Sequence, residues 1–74
     1  MTPKQAIAIV TSGRPNLQVV SVKNYQSDYL VTAFEDQEEL DPFYLVNKAN
    51  GSMRKYTIAD DLDRYYNTPD VEIK

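Results

Sequence analysis

No cysteine and no histidine occur among the 74 residues of this chain. Without cysteine there is no disulfide to restrain the unfolded state, and without either residue the Cys/His zinc sites, the Ser-His-Asp triad and the Cys-His pair cannot be built. Most mechanisms open to a small enzyme are thereby removed, and the chain is expected to be non-enzymatic and to carry no cofactor. A basic excess is also missing. Eight Lys and Arg against eleven Asp and Glu give a net charge of −3, opposite in sign to a module whose affinity comes from phosphate contacts, so nucleic acid is not expected as a partner. Long apolar runs are absent too. Residues 6–10, AIAIV, fall far short of the roughly 20 residues that cross a bilayer and of a signal-peptide core, so no membrane association is expected and the chain reads as soluble and intracellular.

At this length one domain is the limit, and a chain so short buries only roughly 60% of the surface its unfolded form exposes. Self-association is therefore a candidate supplement to the core. Helix punctuation brackets the opening TPKQAIAIVTSG: Thr2 as N-cap, Pro3 at the first helical position, Gly13 as the stop. Ala6, Ile9, Val10 and Gly13 recur at helical spacing, with Ile7 at the edge of the stripe. Arg14-Pro15-Asn16 then imposes an extended turn. Residues 17–25 and 28–35 are rich in β-branched and aromatic types around a Gln26-Ser27 connection, the pattern of antiparallel neighbours. Apolar groups fall on both of their sides; Val20 and Val22 with Leu30, Thr32 and Phe34 is the favoured inward set, the alternate face being the other.

The segment DPFYLVNKANGSMRKY, residues 41–56, carries the clearest turn signal, because Asn50-Gly51 suits the positive φ of a tight hairpin. A loop of two or four residues places Phe43 and Leu45 on one face with Tyr56 and Ile58, a uniformly apolar group. A three-residue loop with a Gly51 bulge instead joins Tyr44 and Val46 to Arg54 and Tyr56, a mixed one. The even loop is preferred, with Phe43, Leu45, Tyr56 and Ile58 as core. Tyr44, Val46, Met53 and Lys55 then point to the other face, which one helix leaves partly open, and they become the candidate partner or dimer surface. After the hairpin, Thr57 and Asp60 resemble a capping box, and Ile58, Leu62 and Tyr65 form one apolar stripe of a short second helix. The expected organisation is an α+β domain over residues 1–67, with an N-terminal helix packed on a four-stranded antiparallel sheet and a short C-terminal helix. Residues 68–74 are read as a flexible tail.

Three constellations invite a chemical reading. Glu35, Asp36, Glu38, Glu39 and Asp41 lie within seven residues, but they lack the ligand order and central glycine of a calcium loop. They read as a solvated loop, with Glu38 and Glu39 as candidate contacts for a basic partner. Asp60, Asp61 and Asp63 sit where the start of a helix already accounts for them, which leaves little room for an acid and base pair. Six of the eight aromatic residues are tyrosine, a type that suits both the edge of a core and an interface. Lys48, Arg54 and Lys55 read as a small basic patch on a solvated turn.

The phrase FYLVNKANGSMRKY resembles the last hairpin of PepSY-like domains. Residues 28–66 are similar to small uncharacterised proteins of phages and prophages of Gram-positive bacteria, and look somewhat like small immunity proteins of bacterial toxin systems, which share a helix, a four-stranded sheet and a closing hairpin. Asn47 stands where those families usually carry Asp. The resemblance implies a non-enzymatic module of the bacterial cytoplasm that works by binding another protein. The alternatives are an immunity-like toxin inhibitor, or a small-ligand or hydrolytic protein using the acidic residues.

Overall fold

Thr2 takes the Gln5 N–H onto its hydroxyl at 3.2 Å, while Gln5 Oε1 accepts the Thr2 N–H at 2.8 Å. This reciprocal box, with Pro3 at the first helical position, starts α1 (Pro3–Thr11) as expected. Gly13, at φ +74°, turns the chain away after it. The computed structural model describes residues 1–14, 16–35, 42–59 and 61–72. Pro15, Asp60, the last two residues and the acidic run over 36–41, including Glu38 and Glu39, lie outside the described residues.

Four strands follow in an antiparallel sheet of order β1-β2-β3-β4: β1 (Gln18–Tyr25), β2 (Asp28–Phe34), β3 (Phe43–Asn47) and β4 (Met53–Lys55). A short α2 (Leu62–Asn67) closes the chain, and the α+β architecture is that expected from the sequence. The β1–β2 register steps from Val19↔Ala33 to Ser21↔Thr32, so Val20 is the unpaired residue of a bulge. This corrects the inward set favoured from the sequence. Val20 is 62% exposed, while Val22 pairs with Val31 and shares the face of Val19 and Ala33, leaving Leu30 on the opposite side. One inserted residue flips the side-chain parity of everything beyond it.

In the second hairpin Tyr44 faces Lys55, Leu45 faces Arg54 and Val46 faces Met53. The Asn47 N–H donates to the Ser52 carbonyl at 2.9 Å, so the loop is residues 48–51, one of the two even lengths considered. Phe43, Leu45, Tyr56 and Ile58 do gather, around buried Tyr25 and Leu30 and beside Tyr65 of α2. The opposite face is not open. Ala6 and Val10 of α1 bury Val22, Val31, Ala33, Tyr44 and Val46 together with Leu17. Hairpin parity groups residues by face without specifying which face the helix takes, and here α1 sits on the face expected to be exposed.

The C-terminal quarter also differs from expectation. Ile58 is buried before any helix begins, and α2 starts only at Leu62, which is exposed. Asp61 holds the N-cap position without a side-chain capping hydrogen bond, and its carboxylate accepts the Tyr56 hydroxyl at 2.7 Å. Residues 68–72 are not a loose tail. The Val71 N–H donates to the Val22 carbonyl at 2.8 Å, Asp70 bridges Lys23 antiparallel, and the Val71 side chain packs on the cluster under α1.

Candidate partner-binding surface

Three positions on α1, Gln5, Ala8 and Ile9, lie at helical i, i+3, i+4 spacing and form one wall of an open groove of about 450 Å³. Met1 joins the lining, and Ala49, Asn50 and Gly51 of the β3–β4 turn form the facing wall. The turn is braced from within at four backbone N–H groups. Asn47 Oδ1 accepts the N–H groups of Ala49 at 2.9 Å and Asn50 at 3.2 Å, Asn50 Oδ1 accepts that of Ser52 at 2.8 Å, and the Gly51 N–H donates to the Asn47 carbonyl at 2.8 Å. The Asn47 side chain thus organises the first half of the turn.

Gly51 is where turn and helix meet. Its φ is +74°, and a Cβ there would stand 3.2 Å from Ile9 Cδ1 and 3.4 Å from Met1 Cε. Both the left-handed backbone and the close approach require glycine at this position. Met1 is tethered in turn: the Tyr29 hydroxyl donates to its carbonyl at 3.3 Å. The groove therefore has one wall fixed by the hairpin and the other by the helix, and its lining is mainly apolar with two amides, Gln5 and Asn50.

Of the surface expected from the sequence, Tyr44 and Val46 are 1% and 0% exposed and belong to the core under α1. They are unavailable to a partner in the folded chain. The Tyr44 hydroxyl accepts from Arg14 Nη1 at 2.9 Å, and the same guanidinium bonds Glu35 Oε1 through Nε at 2.7 Å and through Nη2. Met53 and Lys55 are exposed on β4, the edge strand. Lys48 is not part of a solvated patch; its ammonium holds Asn24 Oδ1 and the Gln26 carbonyl, above the Tyr29 ring. That contact supports the β1–β2 turn, where Gln26 has φ +55°. Arg54 pairs with Asp28 at 3.6 Å.

The carboxylates of the described residues do not converge. Glu35 is held by Arg14, Asp28 by Arg54, Asp70 by Lys23, and Asp61 by Tyr56 and Arg64. Among the described residues no group of three or more metal-ligating side chains forms. The hydrogen bond to Asp61 pushes the Tyr56 phenol up to about 12, with burial and the Asp61 charge acting in the same direction. Burial raises Tyr25 as well, assisted by Asp61 and opposed by the Arg64 guanidinium, whose carbon lies 4.3 Å from the Tyr25 ring centroid. The Tyr25 hydroxyl, buried, has no hydrogen-bond partner among the described residues.

Helical spacing places Ile9 in the apolar stripe of α1, whereas the structure leaves it only half-buried and turns it, with exposed Ala8, into the wall of the groove. A paired Ala8-Ile9 beside a terminal Met1, opposite an Asn-Gly turn, is the signal that was present. Taken together, these features define a small α+β module whose sheet carries an apolar cluster on each face and whose apolar opening lies between helix and hairpin. Among the described residues no helix is long and apolar enough to cross a membrane. No family model matches the chain, and comparisons with curated proteins and with solved structures give no significant match.

Proposed function

We propose that this chain is a non-enzymatic binding module that receives another protein in the groove between α1 and the β3–β4 turn. The observation that carries the reading is the groove itself: a preformed, mainly apolar opening lined by Met1, Ala8, Ile9, Ala49 and Gly51, with no charged side chain among the described residues of its wall. Such a lining suits an uncharged apolar side chain of the partner, with its flanking backbone against the Gln5 and Asn50 amides. Met53 and Lys55, exposed on neighbouring β4, extend the same reading along the sheet edge. The setting proposed is the cytoplasm of a Gram-positive host cell, since residues 28–66 resemble small phage and prophage proteins.

The test compares affinity capture from a Gram-positive phage host by the wild-type chain, by Ala8→Arg and by Thr57→Arg. Ala8 and Thr57 are both exposed, so neither change disturbs the core. A protein retained by the wild type and by Thr57→Arg but lost with Ala8→Arg is expected. Equal recovery by all three overturns the assignment of the groove. Sedimentation of the wild-type chain at high concentration covers the other occupant: a dimer abolished by Ala8→Arg would give the groove to a second copy of this chain.

A further inference from the structure

The outer edge of β1 is occupied by the chain's own C-terminal segment, and the way it is occupied specifies what else fits there. The Val71 N–H donates to the outward-pointing Val22 carbonyl at 2.8 Å, and Asp70 stands antiparallel to Lys23. Lys23 is buried, and its ammonium donates to Asp70 Oδ1 at 2.8 Å and to the Thr68 carbonyl at 2.7 Å, 4.7 Å from the Tyr65 ring centroid. The two side chains part to opposite sides of the sheet: the Asp70 carboxylate to Lys23, and Val71 to the cluster under α1. Alternation of this kind is how a sheet edge reads an added strand, with main-chain bonds giving affinity and alternate side chains giving specificity.

The hold is slight. Among the described residues only one pair, Lys23 and Asp70, bridges the segment to β1 in strand fashion, supplemented by the two Lys23 hydrogen bonds and the packing of Val71, and Asp70 remains 63% exposed on its side chain. A segment bridged to the sheet at one pair, with its Asp70 side chain largely in solvent, opens more easily than the central strands. Toward the start of β1 the Val20 bulge interrupts the edge, a device that discourages further pairing. Strand addition is thereby confined to the stretch around Val22, Lys23 and Asn24.

From these contacts we propose that the β1 edge is a strand-addition site for an extended segment of a partner protein bearing a carboxylate opposite Lys23 and a β-branched apolar residue next to it, and that residues 68–72 are a resident guard which such a segment displaces. The proposal concerns a surface separate from the groove, so failure of the groove variants leaves it standing. The guard enjoys the effective concentration of a short tether, on the order of millimolar, and a segment offered in trans competes poorly until the guard is loosened.

The probe is the peptide NTPDVEIK, the chain's own residues 67–74, titrated to millimolar concentration into the full-length chain and followed by the amide resonances of Val22 and Asn24. Asp70→Ala with Val71→Ser loosens the guard; Asp70→Ala alone is the milder form should the double variant lose its dispersed spectrum. The loosened chain is expected to bind at least about 10-fold more tightly than the wild type. A peptide with alanine in place of its aspartate is expected to lose about 10-fold on that same chain, a charge-assisted hydrogen bond of roughly 1.4 kcal/mol. Unshifted Val22 and Asn24 resonances in the loosened chain, or equal binding by wild type and loosened chain, overturn the guard. Equal binding by both peptides overturns the role of Lys23. A dimer of the wild-type chain at millimolar concentration that Asp70→Ala dissolves assigns the edge to a second copy and overturns a foreign partner.

Discussion

Gly13 and Gly51 share a φ of +74° but differ in what surrounds them, and this makes them a matched pair for measuring how firmly the β3–β4 turn is docked on α1. A Cβ at Gly13 meets nothing within 4 Å, whereas one at Gly51 meets Ile9 Cδ1 at 3.2 Å and Met1 Cε at 3.4 Å. Replacing either by alanine forces an L-residue into the left-handed region, which costs about 1 to 2 kcal/mol. At Gly51 the Ile9 side chain must also give way by a few tenths of an ångström, and an off-rotamer side chain costs roughly 0.5 to 1.5 kcal/mol. Gly51→Ala is therefore expected to be worse than Gly13→Ala by about 0.5 to 1 kcal/mol. Ile9→Val removes the very atom that is crowded. In the double-mutant cycle, Ile9→Val with Gly51→Ala should recover about 0.5 kcal/mol relative to the sum of the single changes, and no coupling is expected with Gly13→Ala. Urea denaturation measures these differences, and for a domain of this size each 1 kcal/mol moves the melting temperature by roughly 4 to 8 °C. Equal losses at the two glycines, with no coupling to Ile9, would refute the docked turn and with it the fixed wall of the groove.

Two further outcomes follow from the core and the tyrosines. Val46→Ala, at a fully buried position under α1, should cost about 2 kcal/mol by urea denaturation, whereas Met53→Ala, across from it on β4 and 43% exposed, should cost well under about 1 kcal/mol; similar losses would contradict the placing of α1 over β3. Tyr56, whose phenol is held up to about 12 by Asp61, keeps its proton in the folded chain where the unfolded chain has lost it. Its stabilisation is accordingly complete below pH 10 and lost as pH rises from about 10 toward 12. Tyr56→Phe should flatten that part of the stability profile, and an unchanged alkaline slope would show that the Asp61 bond contributes nothing there.

Where local chemistry decided the outcome, the sequence was sufficient. Thr2, Pro3 and Gly13 set the limits of α1, Gln26-Ser27 joined β1 to β2, and the apolar spacing of Phe43, Leu45, Tyr56 and Ile58 selected an even hairpin register. Each of these is a matter of one turn or of one pair of strands, settled by φ preference and side-chain alternation among near neighbours. The candidate surface was less legible. Tyr44 and Val46 share a face with Met53 and Lys55, as parity requires, yet the first two are core and the last two are exposed. Position across the sheet makes the difference, because α1 packs on β1, β2 and β3.

Only the tertiary structure could assign the two apolar faces of the sheet. Both carry enough apolar surface to pack something, and the residue-by-residue pattern is the same whichever face the long helix covers. The Val20 bulge is likewise invisible to periodicity, since one extra residue changes the parity of a strand without changing its composition. Long-range contacts decided the rest: Gly51 against Ile9 across the groove, Lys48 over the β1–β2 turn, and Lys23 drawing residues 68–72 onto the edge of β1. The strands and their turns were written locally. Which surfaces remained for a partner was settled by where α1 and the C-terminal segment found apolar and charged groups to bury against, far away along the chain.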